Sequence, residues 1–226
     1  MEEDNIIKSG MIFNYYTKFN NLTGFQAGNY HFSPSMTLDQ ISKMLQNGEG
    51  SVTSDAKVTI PEGFDVDQIG DALAEATNIS KDDFLALMES DEFFEKMKET
   101  YPELLASAGD AQGVRYRLEG YLFPATYDYY TGNTLEEVVT QMVDKSNSVL
   151  SKYFDQIAQK EMTVQEVLTL ASLVEKEGSK LEDRKNIAQV FFNRLAIDMP
   201  LPSDISILYA LGEHKELVTY EDTQVD

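Results

Sequence analysis

The sequence predicts an α+β protein, in which a small strand-and-helix unit is followed by a mainly helical domain with short strands. Three observations lead there. Short alternating segments precede segments of helical spacing at two successive places; helix-start signatures recur through the C-terminal half; and 42% hydrophobic with 25% charged residues is the composition of a folded chain.

The segment from Ile12 to Phe19 carries aromatic residues at mixed spacing, and Asn29-Tyr30-His31-Phe32 alternates as a short strand would. A well-marked helix follows. Thr37 and Gln40 form a capping box, Leu38, Ile41 and Leu45 repeat at helical spacing, and Gly48 supplies a left-handed stop. The polar, glycine-rich stretch 47–55 reads as a linker or a long hairpin loop, so the expected boundary divides residues 1–53 from 54–226. The second part subdivides into a connecting α+β portion, 54–115, and a core, 116–226.

Val58 and Ile60 alternate with polar residues before the turn Pro61-Glu62-Gly63, and Val66, Ile69 and Leu73 then take helical spacing. Between Ser80 and Thr100, Phe84, Leu87, Met88, Phe94 and Met97 among many acids predict one or two amphipathic helices. The run from Gly120 to Tyr130 is too aromatic and proline-interrupted for a helix and predicts an extended segment or loop. Capping boxes at Thr134/Glu137 and Thr163/Glu166 then open two helices, the second running toward Gly178. A further helix, from about Glu182, carries Ile187, Val190, Phe191 and Leu195.

The 226 residues include 39 acidic and 18 basic side chains, a net charge of 18 − 39 = −21. So acidic a chain is repelled by nucleic-acid phosphates and anionic headgroups, which puts DNA, RNA and lipid-surface binding last among the function classes, and no nucleic-acid partner is expected. No apolar run approaches the ~20 residues of a membrane span. The opening Met1-Glu2-Glu3-Asp4-Asn5 is not a signal peptide, so the chain is expected to be cytoplasmic or to lack its native anchor. Without cysteine there are no disulfides, thiolate nucleophiles or thiolate-bound metals.

No serine-nucleophile elbow, phosphate loop, dinucleotide fingerprint or zinc-protease motif occurs, and His31 and His214 are the available imidazoles, each read as a surface residue. Asp65, Asp67 and Gly70 resemble the opening of a calcium loop, but Ile69 and Ala76 occupy ligand positions, so neither a metal nor a cofactor is expected. Carboxylate chemistry is left. On a helical wheel, Val164, Val167, Leu168, Leu170, Ala171, Leu173 and Val174 cover all but a narrow polar stripe of the helix from Thr163, which is therefore expected to be largely buried. Glu175 and Glu177 both fall on its apolar arc. Desolvation there would raise a carboxyl pKa and prepare a general acid, unless the side chains reach water or pair with Lys176, Lys180 or Arg184. Spacing does not choose between the two glutamates.

The blocks Leu118-Glu119-Gly120-Tyr121-Leu122-Phe123-Pro124-Ala125-Thr126-Tyr127, Leu170-Ala171-Ser172-Leu173-Val174-Glu175-Lys176-Glu177, Val190-Phe191-Phe192-Asn193-Arg194-Leu195, Met199-Pro200-Leu201-Pro202-Ser203-Asp204 and Tyr209-Ala210-Leu211-Gly212 resemble, in content and order, the endolytic murein transglycosylases of the MltG (YceG-like) family. Upstream, Gln26 to Tyr30 and Met36 to Ile41 resemble that family's LysM-like region, here begun part-way through. The resemblance implies an extracytoplasmic cell-wall enzyme, tethered by an N-terminal helix, that cuts nascent peptidoglycan strands internally without water. It implies that Glu177 is the catalytic acid. It brings Glu119, Tyr121, Phe123, Tyr127, Asn193, Arg194, Ser203 and Asp204 forward as substrate-binding candidates, with core packing the alternative for the aromatics and salt bridging for Arg184 and Arg194. Peptidoglycan is the implied partner, with peptidoglycan synthases and division or elongation proteins as further candidates. Where the family reads L-Q-S/T-D-P-T, this chain has Leu201-Pro202-Ser203-Asp204-Ile205-Ser206, and it stops at Asp226, where the family continues into cleft-lining blocks. A non-catalytic wall-binding module and an inverting hydrolase are the rival expectations, the latter needing Glu119 or Asp204 at roughly 6.5–9.5 Å from Glu177.

Overall fold

The computed structural model describes residues 6–26, 29–30, 32–33, 35–48, 51–52, 54–110, 114–201, 204–212 and 219. His31, Ser203 and His214 lie outside the described residues. The chain is mainly helical with short antiparallel strands, an α+β fold, and it forms two compact units, Met1–Asp55 and Ala56–Asp226.

In the first unit, helix α1 (Gly10–Phe19) is followed by β1 (Asn29–Tyr30), α2 (Leu38–Asn47) and β2 (Ser51–Val52). The two strands pair antiparallel, Asn29 opposite Val52 and Tyr30 opposite Ser51, so the expected linker contains a strand. At the start of α2 the Thr37 hydroxyl accepts from the Gln40 N–H (3.3 Å) while the Gln40 side chain accepts from the Thr37 N–H (2.9 Å). Gly48 closes that helix at φ 69°, and Ile41 is fully buried. Periodicity did not mark α1 because Met11, Ile12, Tyr15 and Phe19 are exposed: its apolar residues do not trace a buried stripe.

In the second unit, β3 (Ala56–Thr59) pairs antiparallel with β4 (Thr126–Tyr129), Ala56 opposite Tyr129 and Thr59 opposite Thr126. Between them come α3 (Val66–Ala76), α4 (Lys81–Glu89), α5 (Asp91–Thr100) and the short α6 (Pro102–Leu105). The acid-rich segment is thus two helices, each started by a serine: Ser80 accepts from the Asp83 N–H and Ser90 from the Phe93 N–H. After β4 come α7 (Leu135–Leu150), α8 (Phe154–Gln159), α9 (Val164–Glu177), α10 (Leu181–Leu195) and α11 (Asp204–Leu211). Reciprocal capping boxes start α3, α7 and α9, which satisfies amides that have no partner inside the helix.

Leu73, Phe84, Phe94, Leu104, Leu118 and Val139 form the fully buried heart of this unit. The aromatic segment is threaded along α7. Ser146 donates from its hydroxyl to the Tyr121 carbonyl (2.6 Å), and the Phe123 N–H donates to the Met142 carbonyl (3.3 Å). One expectation is corrected here, that the helix from Thr163 is largely buried. Val164 is the one buried residue of α9, rather than a whole apolar face; on α10 the one buried residue is Phe191. The wheel records which residues share a side of a helix, not whether another element covers that side. α9 packs on α6, α8, α10 and α11, yet most of its residues keep partial or full exposure.

Candidate active site

The chemistry-bearing side chains gather around the turn that joins β3 to α3, Pro61 to Asp65. Asp65 caps α3, accepting from the Gln68 N–H at 2.8 Å. On one side of this turn lies Glu119. Its two carboxylate oxygens lie 3.2 and 3.5 Å from the Val66 N–H, the first amide of α3, and one also accepts from the Tyr209 hydroxyl of α11 at 3.3 Å. Gly120, next along, sits at φ 81°, a left-handed turn that glycine takes without strain. Nearby, Arg115 pairs with Asp67 at 3.1 Å, and its guanidinium packs beneath Gly212 at the end of α11.

Burial drives the Glu119 carboxyl up to about 7, aided by the negative charge of Asp65, against the Tyr209 hydroxyl, the Val66 amide and Arg115, which favour the anion. Burial first, and then the facing Glu119 carboxylate, push the Tyr209 phenol well above its ordinary value. The desolvated carboxyl expected at the end of α9 is therefore found at Glu119. A perturbed acid in such a setting is a mark of functional sites.

On the other side of the turn, α9 ends in Glu175-Lys176-Glu177. Glu175 is partly buried and bound by the Arg184 guanidinium at 2.6 Å, the salt-bridging alternative foreseen for that arginine. Glu177 is exposed, so its carboxyl is not seated among apolar neighbours as the wheel suggested. Glu175 also faces the turn itself, its Cγ 3.6 Å from where a Cβ on Gly63 would stand.

The other candidates scatter in their roles. Tyr121 is fully buried, its hydroxyl donating to Gln165 at 2.9 Å; its ring belongs to the core and offers no face to a sugar. Burial pushes that phenol up to about 12. Phe123 and Tyr127 are partly buried, and the Tyr127 hydroxyl donates to the Phe123 carbonyl at 2.5 Å. Asn193 is exposed and accepts from Gln189 at 2.9 Å, Arg194 is partly buried on α10, and Asp204 is exposed at the start of α11. Tyr209 and Arg115 had no assigned role in the sequence reading. No local pattern could reveal the meeting of Tyr209 with Glu119, since that contact joins segments 90 residues apart in the chain. Among the described residues no group of acids or histidines could hold a metal ion, and no helix is long and apolar enough to cross a membrane.

The YceG-like family model matches residues 1–226. This chain belongs to the YceG-like family. Endolytic murein transglycosylases of Streptococcus pneumoniae (strain D39) and Bacillus subtilis (strain 168) are 41% and 36% identical to it across its whole length. The chain spans 43% of the first relative and 62% of the second, about half their length. A YceG-like protein of Listeria monocytogenes, known from its crystal structure, shares 43% identity over the whole chain and 74% of its own, with a TM-score of 0.72. The YceG-like fold is thus the scaffold on which the two carboxylate environments are built.

Proposed function

We propose that this chain belongs to an endolytic murein transglycosylase that acts outside the cytoplasm and cuts peptidoglycan glycan strands without water, leaving 1,6-anhydro-N-acetylmuramic acid ends. The relatives' names supply the substrate class. The observation that supports the residue assignment is the exposure of Glu177 at the end of α9, where the matched block places the second glutamate.

Protonated Glu177 donates to the glycosidic oxygen leaving N-acetylmuramic acid, as positive charge builds on the ring in an oxocarbenium-like transition state. The carboxylate so formed takes the proton of that sugar's own C6 hydroxyl, whose oxygen closes on the anomeric carbon. One bond breaks, one forms, and the acid is regenerated. Because the nucleophile is part of the substrate, proximity replaces a bound water.

A hydrolase would need a second carboxylate free to activate water. Glu119 is already engaged by the Val66 amide and the Tyr209 hydroxyl, which speaks against that use of it. In this reading the first unit is the partial LysM-like region that holds glycan, the membrane tether is an N-terminal helix, and wall synthases and division or elongation proteins are the partners. Digestion of purified peptidoglycan by the full-length protein, followed by mass spectrometry, tests it. Anhydro ends support the proposal, whereas new reducing ends point to hydrolysis and intact glycan retained on the protein to a binding module.

A further inference from the structure

We propose that Arg184 is a positioning residue for Glu177: one guanidinium ties down the chain on both sides of the acid and so sets where its carboxyl group projects. The inference rests on the reading of Glu177 as the proton-shuttling acid.

The last carbonyls of a helix have no intrahelical partners, and helix ends fray. At the end of α9 that tendency is opposed from a single side chain. Arg184 donates from Nε to the Gly178 carbonyl at 2.8 Å and from a terminal nitrogen to Glu175 Oε1 at 2.6 Å. Its other terminal nitrogen lies 4.0 Å from Glu62 on the turn before α3. Glu175 precedes Glu177 by two residues and Gly178 follows it directly, so the acid sits inside a segment pinned at both ends. A cation here also complements the partial negative charge of the helix C-terminus.

Steric fit supports the same assignment. Gly178 is buried, and a Cβ placed on it would stand 2.8 Å from Arg184 Cγ and 3.2 Å from the Arg184 backbone nitrogen. The arginine stem therefore occupies the space a side chain would need, and residue 178 is glycine for that contact rather than for its backbone, which is extended (φ −117°, ψ 120°). Lysine cannot replace this arrangement. Its ammonium is a point charge on a flexible stem, whereas the guanidinium fork reaches the carbonyl and the carboxylate together.

The test is Arg184→Lys in the full-length protein, measured for steady-state cleavage and for amide hydrogen exchange. A displaced reacting group can cost on the order of a hundredfold, so kcat is expected to fall about 10- to 100-fold. KM should stay within about threefold, because ground-state binding is untouched. Exchange across 175–178 should quicken at least about tenfold while α7 is unchanged. Gly178→Ala, whose methyl group displaces the arginine stem, should reproduce the local exchange change. Wild-type kcat and exchange in Arg184→Lys would overturn the proposal. So would a raised KM at unchanged kcat, which would make the arginine a substrate ligand, or equal acceleration of exchange in α7, which would make it a general structural strut. An active Glu177→Gln, or a wild-type protein that yields no anhydro ends, sinks the assigned acid and this proposal together; a normal Arg184→Lys beside an inactive Glu177→Gln sinks this proposal alone.

Discussion

The carboxylate of Glu119 and the hydroxyl of Tyr209, 90 residues apart in the chain, meet at 3.3 Å and join the start of α3 to α11. The pair couples a helix N-terminus, a buried acid and the helix that packs beside α9. Its chemistry makes the fold sensitive to pH.

Glu119 titrates at about 7 in the folded chain and near 4.5 when exposed, so the folded state holds the proton more tightly. Stability from this group is complete below about pH 4.5, declines as pH rises through 7, and is lost above it. Glu119→Gln keeps the acceptor for Val66 and removes the charge. Urea unfolding of both proteins at pH 5 and pH 8 should show the wild type losing on the order of 1–3 kcal/mol more than the variant. Identical pH dependence would mean that Glu119 is not desolvated as its surroundings indicate.

Glu177→Gln is expected to abolish cleavage and leave thermal unfolding nearly unchanged, since exposed positions tolerate substitution within about 0.5 kcal/mol. Glu175→Gln retains an oxygen for Arg184 and should keep measurable activity. Equal loss in the two variants, read from anhydro-end yield, would show the assignment of roles to be wrong.

Tyr121→Phe removes the hydroxyl bound to Gln165 and leaves the ring in the core. Calorimetry should record about 1 kcal/mol lost. KM for glycan should not move. A raised KM with full stability would return Tyr121 to the binding surface.

Gly120→Ala isolates a backbone cost. At φ 81° a Cβ on Gly120 would meet nothing within 4 Å, so any loss comes from the left-handed turn itself and not from a clash. About 1–2 kcal/mol of destabilisation is expected by denaturant titration, less for Gly120→Asn. A neutral alanine variant would indicate that the turn re-forms in another conformation.

Much of the secondary structure was written locally. Thr37 with Gln40, Thr134 with Glu137 and Thr163 with Glu166 mark helix starts because a capping box uses only residues within one turn, and the structure has all three. The box of Asp65 with Gln68 is equally local, although its Asp-x-Asp spacing also resembles the opening of a calcium loop. The strand Thr126–Tyr129 lies in a segment that the sequence leaves open between extended and loop, because its partner Ala56–Thr59 lies far back in the chain.

The site divides along the same line. Sequence by itself determined the identity of the acids, their helical spacing, the acidic character of the chain and its family resemblance, all of which need only residue type and order. Tertiary structure decided their environments: that Glu175 meets Arg184, that Glu177 reaches solvent, and that Glu119 is the carboxyl deprived of water. Desolvation and pairing depend on what the remainder of the chain brings alongside a residue. A wheel drawn on one helix contains nothing of its neighbours.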